Sequence, residues 1–132
     1  MKLIYNCTCI IACLAIMSCH KDKNAADNTD KQLTAADAGG TASVTTGQTI
    51  SLTLGNPGDG GYQFNNPQYN TSVLTLVSHK EHVGIHPGLV GDFGSDIWTF
   101  TAKGSGTTTL QVTAHRGTTE TISMFSNQVI VK

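Results

Sequence analysis

The chain is poor in charged and aromatic side chains. Of its 132 residues, 13% are charged and 6% are aromatic, and the formal net charge is −1. The Lys and Arg residues are scattered and form no basic stripe that could neutralise the phosphates of a nucleic acid. We therefore expect no nucleic-acid partner, and the length leaves room for a single domain.

Cysteine is absent from most of the chain. The four cysteines are Cys7, Cys9, Cys13 and Cys19, and none follows. This distribution excludes a disulfide bond or a thiolate metal site in the remainder of the sequence. A domain of about 90 residues must therefore obtain its stability from packing alone.

The N-terminus has the features of a secretion signal. Lys2 precedes a mostly apolar run over residues 3–17, which is too short to span a bilayer comfortably. The run ends in Leu14-Ala15-Ile16-Met17-Ser18-Cys19, which resembles the lipobox of bacterial lipoproteins. We predict a signal peptide over residues 1–18 and lipidation of Cys19, which would anchor the protein to the cell envelope, at the outer membrane or cell surface. A plain secretory signal followed by a coincidental cysteine is the alternative.

The segment after Cys19 is polar and contains few large apolar residues. Such a composition cannot bury enough apolar surface to fold by itself. We predict a flexible tether over residues 19–40 and a folded domain over residues 41–132.

From Val44 onward, apolar and polar residues alternate with period two, a pattern typical of half-buried β-strands. Clusters of Gly, Pro, Asn and Asp separate these segments and predict tight turns. Six or seven short strands at this spacing favour an all-β, immunoglobulin-like β-sandwich of about seven strands. The clearest alternating sets are Ile50, Leu52 and Leu54, then Trp98, Phe100 and Ala102, then Leu110, Val112 and Ala114.

Enzyme chemistry finds no support in the sequence. No G-x-S-x-G or comparable nucleophile signature occurs. His79, His82 and His86, with support from His115, are the only suggestive group, but spacings of three and four suit a helix. On a strand, His79 and His82 would point to opposite faces. We interpret these histidines as solvated residues at a strand end and in a loop, and we expect neither a metal nor a cofactor.

Two glycine-rich segments remain as candidates for function. The first loop, residues 56–62, reads Asn-Pro-Gly-Asp-Gly-Gly-Tyr, and the second loop, residues 88–94, ends in Gly91-Asp92-Phe93-Gly94. Glycine permits positive φ and a close approach of the backbone to another surface. Such loops therefore serve either as tight turns or as segments that enter a partner's cleft.

These loops and the strands around them resemble the chagasin-type inhibitors of papain-like cysteine peptidases, family I42. That family carries Asn-Pro-Thr-Thr-Gly and an aromatic residue in its first loop, a Gly-x-Gly-Gly-like second loop and Arg-Pro-Trp in a third. The run from Trp98 to Leu110 resembles the family's succession of strand, glycine turn and Thr-rich strand. The resemblance covers residues 44–132.

The motifs are kept to different degrees. In the first loop, Gly58-Asp59-Gly60 replaces the Thr pair, and the third loop has Arg116-Gly117-Thr118 where the family has Arg-Pro-Trp. The resemblance implies that the first loop covers the catalytic thiolate and imidazolium, where the Asp59 carboxylate would be repelled by one and attracted by the other. The implied contact residues are Asn56, Pro57, Gly58, Asp59, Gly60, Gly61, Tyr62, Gly91, Asp92, Phe93, Gly94 and Arg116.

The leading hypothesis is a monomeric inhibitor whose three loops fill the cleft of a papain-like cysteine peptidase. The alternative is a non-inhibitory immunoglobulin-like module that binds another envelope protein or a glycan, and the altered third loop favours it. One structural observation separates the two. An inhibitor needs the three loops side by side at one end of the sandwich, with Tyr62, Phe93 and Arg116 directed outward.

Overall fold

The computed structural model describes residues 30–86 and 91–132. The predicted signal peptide, Cys19 and the beginning of the second loop lie outside these residues. Within the described ranges, no helix is long and apolar enough to cross a bilayer.

The described chain forms two four-stranded sheets that pack face to face. This arrangement confirms the predicted all-β sandwich, with eight strands instead of about seven. The strands are β1 (Lys31–Thr34), β2 (Thr41–Val44), β3 (Thr49–Gly55), β4 (Gln63–Phe64), β5 (Leu74–His82), β6 (Ser95–Ala102), β7 (Gly106–Arg116) and β8 (Glu120–Val131). The first sheet has the order β1-β3-β6-β5 and the second has the order β2-β8-β7-β4.

The core lies between the sheets and is built from the alternating residues that the sequence singles out. Trp98 is 1% exposed and meets the ring of Phe64 from the opposite sheet edge to face, with centroids 4.9 Å apart. Alternation works here because successive side chains of a strand point to opposite faces of the sheet. Other fully buried core residues are Ile50, Leu52, Leu74, Phe100, Leu110, Val112, Phe125 and Val129.

The predicted tether is wrong for residues 31–40, which belong to the folded domain. β1 pairs in parallel with β3 and buries Leu33 in the core at 1% exposure. A short 3₁₀ helix follows at Ala35–Asp37, and Asn127 Nδ2 donates a hydrogen bond to the Asp37 carbonyl at 2.6 Å. A four-residue edge strand that buries one side chain leaves almost no periodic signal, so composition alone assigned it to the tether.

A β-bulge in β5 changes which of its residues face the core. The pairing with β6 shifts between Leu76 and Ser78, and the intervening Val77 is 61% exposed. After the bulge, His79 lies opposite Trp98 and Glu81 lies opposite Asp96. Directly opposed residues share a face of the sheet, so His79 and Glu81 lie on the inner face of the sandwich.

Candidate functional site

Three connections meet at one end of the sandwich: β3–β4, β5–β6 and β7–β8. The backbone N–H of Asn56 in the first loop donates to the carbonyl of Gly94 in the second loop at 3.0 Å. On the other side, a Cβ built on Gly61 would lie 3.7 Å from Cδ of Arg116 in the third loop. The first loop therefore lies between the other two, in the side-by-side arrangement that the inhibitor hypothesis requires.

The first loop is a single turn of 3₁₀ helix, Pro57–Gly60, with matched residues at both ends. The Asn56 side chain accepts a hydrogen bond from the Gly58 N–H at 2.9 Å, and the proline follows directly. Gly61 ends the turn in the left-handed region, with a φ of 72°. An Asn cap, an early proline and a terminal glycine are the residues that such a turn favours, so the local sequence specifies its shape.

A buried carboxylate holds the first loop from below. Asp96, in β6, is 2% exposed, and its Oδ2 accepts a hydrogen bond from Asn56 Nδ2 at 2.8 Å. The other oxygen, Oδ1, lies 2.7 Å from His79 Nε2. Asp96 was not among the predicted site residues. The available signal was a carboxylate on the same strand face as Trp98, because a buried charge needs partners.

Tyr62, Arg116 and Glu120 form a clasp between the first and third loops. The Tyr62 hydroxyl donates to Glu120 Oε1, and Arg116 donates to Glu120 Oε2 from Nη2 at 2.6 Å and from Nε at 3.0 Å. The guanidinium carbon lies 5.0 Å from the centre of the Tyr62 ring, a cation–π geometry. The hydrogen bond from Tyr62, followed by that from Arg116, lowers the pKa of Glu120, and the same bond to Glu120 raises the pKa of Tyr62.

The connection between β5 and β6, which contains the second loop, presents apolar side chains to solvent. Phe93 is 46% exposed, Val83 is 78% exposed and Ile85 is 89% exposed. The sequence motif points to Phe93 but not to Val83 and Ile85, because the glycine-rich segment that resembles the family's second loop begins only at residue 88. The available signal was the segment Val83-Gly84-Ile85, in which two apolar residues flank a glycine directly after the polar end of β5.

Asp92 supports the second loop from within. Its Oδ2 accepts a hydrogen bond from the backbone N–H of His86 at 2.8 Å, which ties the two arms of the loop together. Gly94 has a φ of 78°, and a Cβ there would lie 1.8 Å from the carbonyl oxygen of His82. No other residue fits that position without moving the backbone.

The three predicted tips differ in exposure. Phe93 and the Arg116 side chain, which is 55% exposed, face solvent. Tyr62 is half-buried, because Arg116 covers its ring and Glu120 holds its hydroxyl. Asp59, at the end of the 3₁₀ turn, is exposed.

The histidines divide into two kinds. His82 ends β5 and His86 lies in the second connection, both exposed, as the sequence predicts. His79 is exposed as well, but the sequence did not predict its contacts: its ring stacks on Trp98 with centroids 4.7 Å apart, and its Nε2 lies 2.7 Å from Asp96 Oδ1. The bulge at Val77, which no sequence pattern indicated, turns His79 inward. His115 lies in β7 opposite Gln63.

Comparison with known proteins agrees with this architecture. A cysteine protease inhibitor, EhICP2 from Entamoeba histolytica, superposes with a TM-score of 0.66 at 21% identity, covering 77% of this chain and 95% of that chain. Amebosin superposes with a TM-score of 0.63 at 17% identity, covering 79% of this chain and 99% of that one. Among curated proteins, no significant match was found.

The sequence itself supplies the family. The profile described as Chagasin family peptidase inhibitor I42 matches residues 43–128, which include all three loops and most of both sheets but not β1. The match extends over well more than half of the chain, and the fold and loop arrangement are those that the resemblance implied. The chain therefore belongs to the chagasin family of peptidase inhibitors, I42.

Proposed function

We propose that this protein inhibits papain-like cysteine peptidases by inserting its three adjoining loops into the active-site cleft. The observation that carries the proposal is the mutual fixing of the loops at one end of the sandwich, through Asn56 to Gly94 and through Tyr62 to Arg116 and Glu120. Inhibition needs no bond cleavage, because the loops exclude the substrate by occupying its place.

Fixed loops favour tight binding. Each flexible side chain that is immobilised on association costs about 0.5–1.5 kcal/mol, and that cost falls when the loops are already ordered in the free protein. The hydrogen bond from Asn56 to Asp96 and the clasp of Tyr62 on Glu120 order the first loop in this way. Exposed apolar residues then act as anchors for a partner's pockets, with Phe93 beside Val83 and Ile85 as the main candidates.

The proposal extends to the cell envelope. Lipidation of Cys19 after cleavage of residues 1–18 would hold the inhibitor, as a monomer, where it meets secreted peptidases. Metabolic labelling with a radioactive fatty acid tests this step. Label in the wild-type protein and none in Cys19→Ala would support the anchor, whereas labelled Cys19→Ala would contradict it.

The decisive experiment is a steady-state inhibition assay of the purified protein against papain and one secreted cysteine peptidase of the same organism. Phe93→Ala should raise the inhibition constant at least tenfold, since it removes an exposed anchor at the loop surface. Val77→Ala is the matched control, because Val77 is also exposed but lies at the β5 bulge. Its inhibition constant should be unchanged.

The altered third loop gives the alternative a specific basis. Arg116 is followed by Gly117 and Thr118, so the aromatic residue of the family motif is missing from this loop. A folded protein that inhibits neither peptidase would establish the non-inhibitory interaction module, which binds another envelope protein or a glycan through the same surface.

A further inference from the structure

A cleft opens between the two sheets beneath the first loop. Its volume is about 330 Å³, and its wall combines aromatic residues with two carboxylates and an imidazole. Ligand sites in proteins are typically concave and combine apolar walls with a few convergent polar groups. The lining residues are Asn56, Tyr62, Phe64, His79, Glu81 and Asp96, with Gln63 at the edge.

Three of these side chains converge. His79, Glu81 and Asp96 each place one nitrogen or oxygen so that all three atoms lie within 4.8 Å of one another. The β5 bulge brings His79 and Glu81 to the inner face, and the register sets Glu81 opposite Asp96. The cluster therefore follows from strand pairing and does not depend on a flexible loop.

We propose that His79, Glu81 and Asp96 bind a divalent transition-metal ion of the Zn²⁺ class. One imidazole and two carboxylates are ligands that Zn²⁺ accepts, and two negative charges match the charge of the ion. The cleft leaves space for water as the remaining ligand. This proposal does not depend on peptidase inhibition.

The surroundings hold the ligands in place. Asn56 Nδ2 donates to Asp96 Oδ2 at 2.8 Å, which leaves Oδ1 directed at the cluster. The His79 ring lies flat on Trp98, with an angle of 7° between the planes. Outer contacts of this kind orient metal ligands and commonly change the affinity 10- to 100-fold.

Metal binding requires that the side chains of His79 and Asp96 move slightly apart. His79 Nε2 lies 2.7 Å from Asp96 Oδ1, and since a carboxylate can only accept, the imidazole donates its proton there. The metal takes the place of this proton, which moves to Nδ1 or to solvent. Ligand atoms around tetrahedral zinc are about 3.4 Å apart, so the two side chains separate by a fraction of an ångström. The His79 side chain is 38% exposed and Glu81 is exposed, so both can move while Asp96 stays fixed.

The first test is calorimetric titration of the purified, chelator-treated protein with Zn²⁺ alone. We expect one saturable site, and both His79→Gln and Glu81→Gln should weaken it at least tenfold. His82→Gln is the matched control, since His82 lies in the same strand but outside the cluster. Co²⁺ added to the wild-type protein should give visible absorption of low-coordinate type, which His79→Gln abolishes.

Other results would overturn the proposal. Absence of binding to the folded wild-type protein would do so, as would an equal loss of affinity in His82→Gln, which would place the ion on exposed histidines. Thermal unfolding without metal checks that each variant is folded. Asp96 is left unaltered in this test because it also supports the first loop.

Discussion

Asn56 connects the core of the protein to its loop surface. Its Nδ2 donates to the buried Asp96, while its Oδ1 accepts from the Gly58 N–H. The Asn56 side chain therefore holds the turn that precedes Tyr62 at a fixed position relative to β6. The sequence motif identifies Asn56 but not Asp96, because their contact joins residues 40 positions apart, which only the sheet register brings together.

The substitution Gly58→Ala tests whether Phe93 must occupy its present place. A Cβ at Gly58 would lie 2.8 Å from Cδ1 of Phe93 and 3.0 Å from Oδ1 of Asn56, so the exposed ring has to swing away while the Asn56 oxygen shifts slightly. We expect the inhibition constant to rise at least tenfold while the free energy of unfolding changes little. Gly55→Ala is the control, since a Cβ there meets nothing within 4 Å. Equal inhibition by both variants would show that the position of Phe93 is unimportant.

The clasp on Glu120 should weaken in acid. The hydrogen bond from Tyr62 and the contacts with Arg116 hold the pKa of Glu120 below its ordinary value of 4.5. A lowered pKa contributes stability above that value, and the contribution is lost as the pH falls through the pKa of the folded state. We therefore expect wild-type protein to be more stable than Glu120→Gln at pH 7.

This difference should shrink as the pH is lowered from about 5 to about 3. Urea unfolding of both proteins across that range measures it. A difference that stays constant with pH would show that Glu120 acts through its shape and not through its charge. Asp37, whose pKa is lowered by hydrogen bonds from Thr34, is present in both proteins and cancels in the comparison.

At the scale of elements, long alternating strands could be predicted and irregular ones could not. β6 and β7 follow the period of two and were located by it. β1 was not predicted because it buries only Leu33, and the alternating pattern is not clear in β5 because the bulge at Val77 interrupts it. A bulge adds one residue to one strand only, so it becomes visible in the register of the pairing with the partner strand.

Leu33→Ala measures what β1 contributes. Leu33 is 1% exposed within the core, and truncating a buried leucine costs about 2–5 kcal/mol of stability. Gln32→Ala, at the exposed neighbouring position, should cost far less. Urea unfolding of the two variants decides the matter. Similar small losses of unfolding free energy in both variants would show that residues 31–34 belong to the tether and not to the folded domain.

At the scale of the whole molecule, the family profile, the sandwich and the grouping of the three loops agree with one another. The sequence motifs predicted which segments form the candidate site, because Asn, Pro and Gly specify turns locally. They could not predict the Tyr62, Arg116 and Glu120 clasp or the carboxylate beneath the first loop. Tyr62 reaches Arg116 and Glu120 because β4 pairs with β7, and Asn56 reaches Asp96 because β3 pairs with β6, and both pairings join strands that are distant in the chain.

The parallel pairing of β1 with β3 fixes the direction from which the chain enters the domain. β3 runs towards the first loop, so β1 does too, and Lys31 lies beside Ile50 near the opposite pole. At about 3.3 Å per residue, five residues of β3 put the entry point some 17 Å from the loops. If Cys19 is lipidated as proposed, the chain from the lipid would therefore join the domain at the end of the sandwich opposite the loops. The lipid attachment and a bound peptidase would then lie at opposite ends of the domain. The tether could therefore vary in length without changing the surface that meets the peptidase.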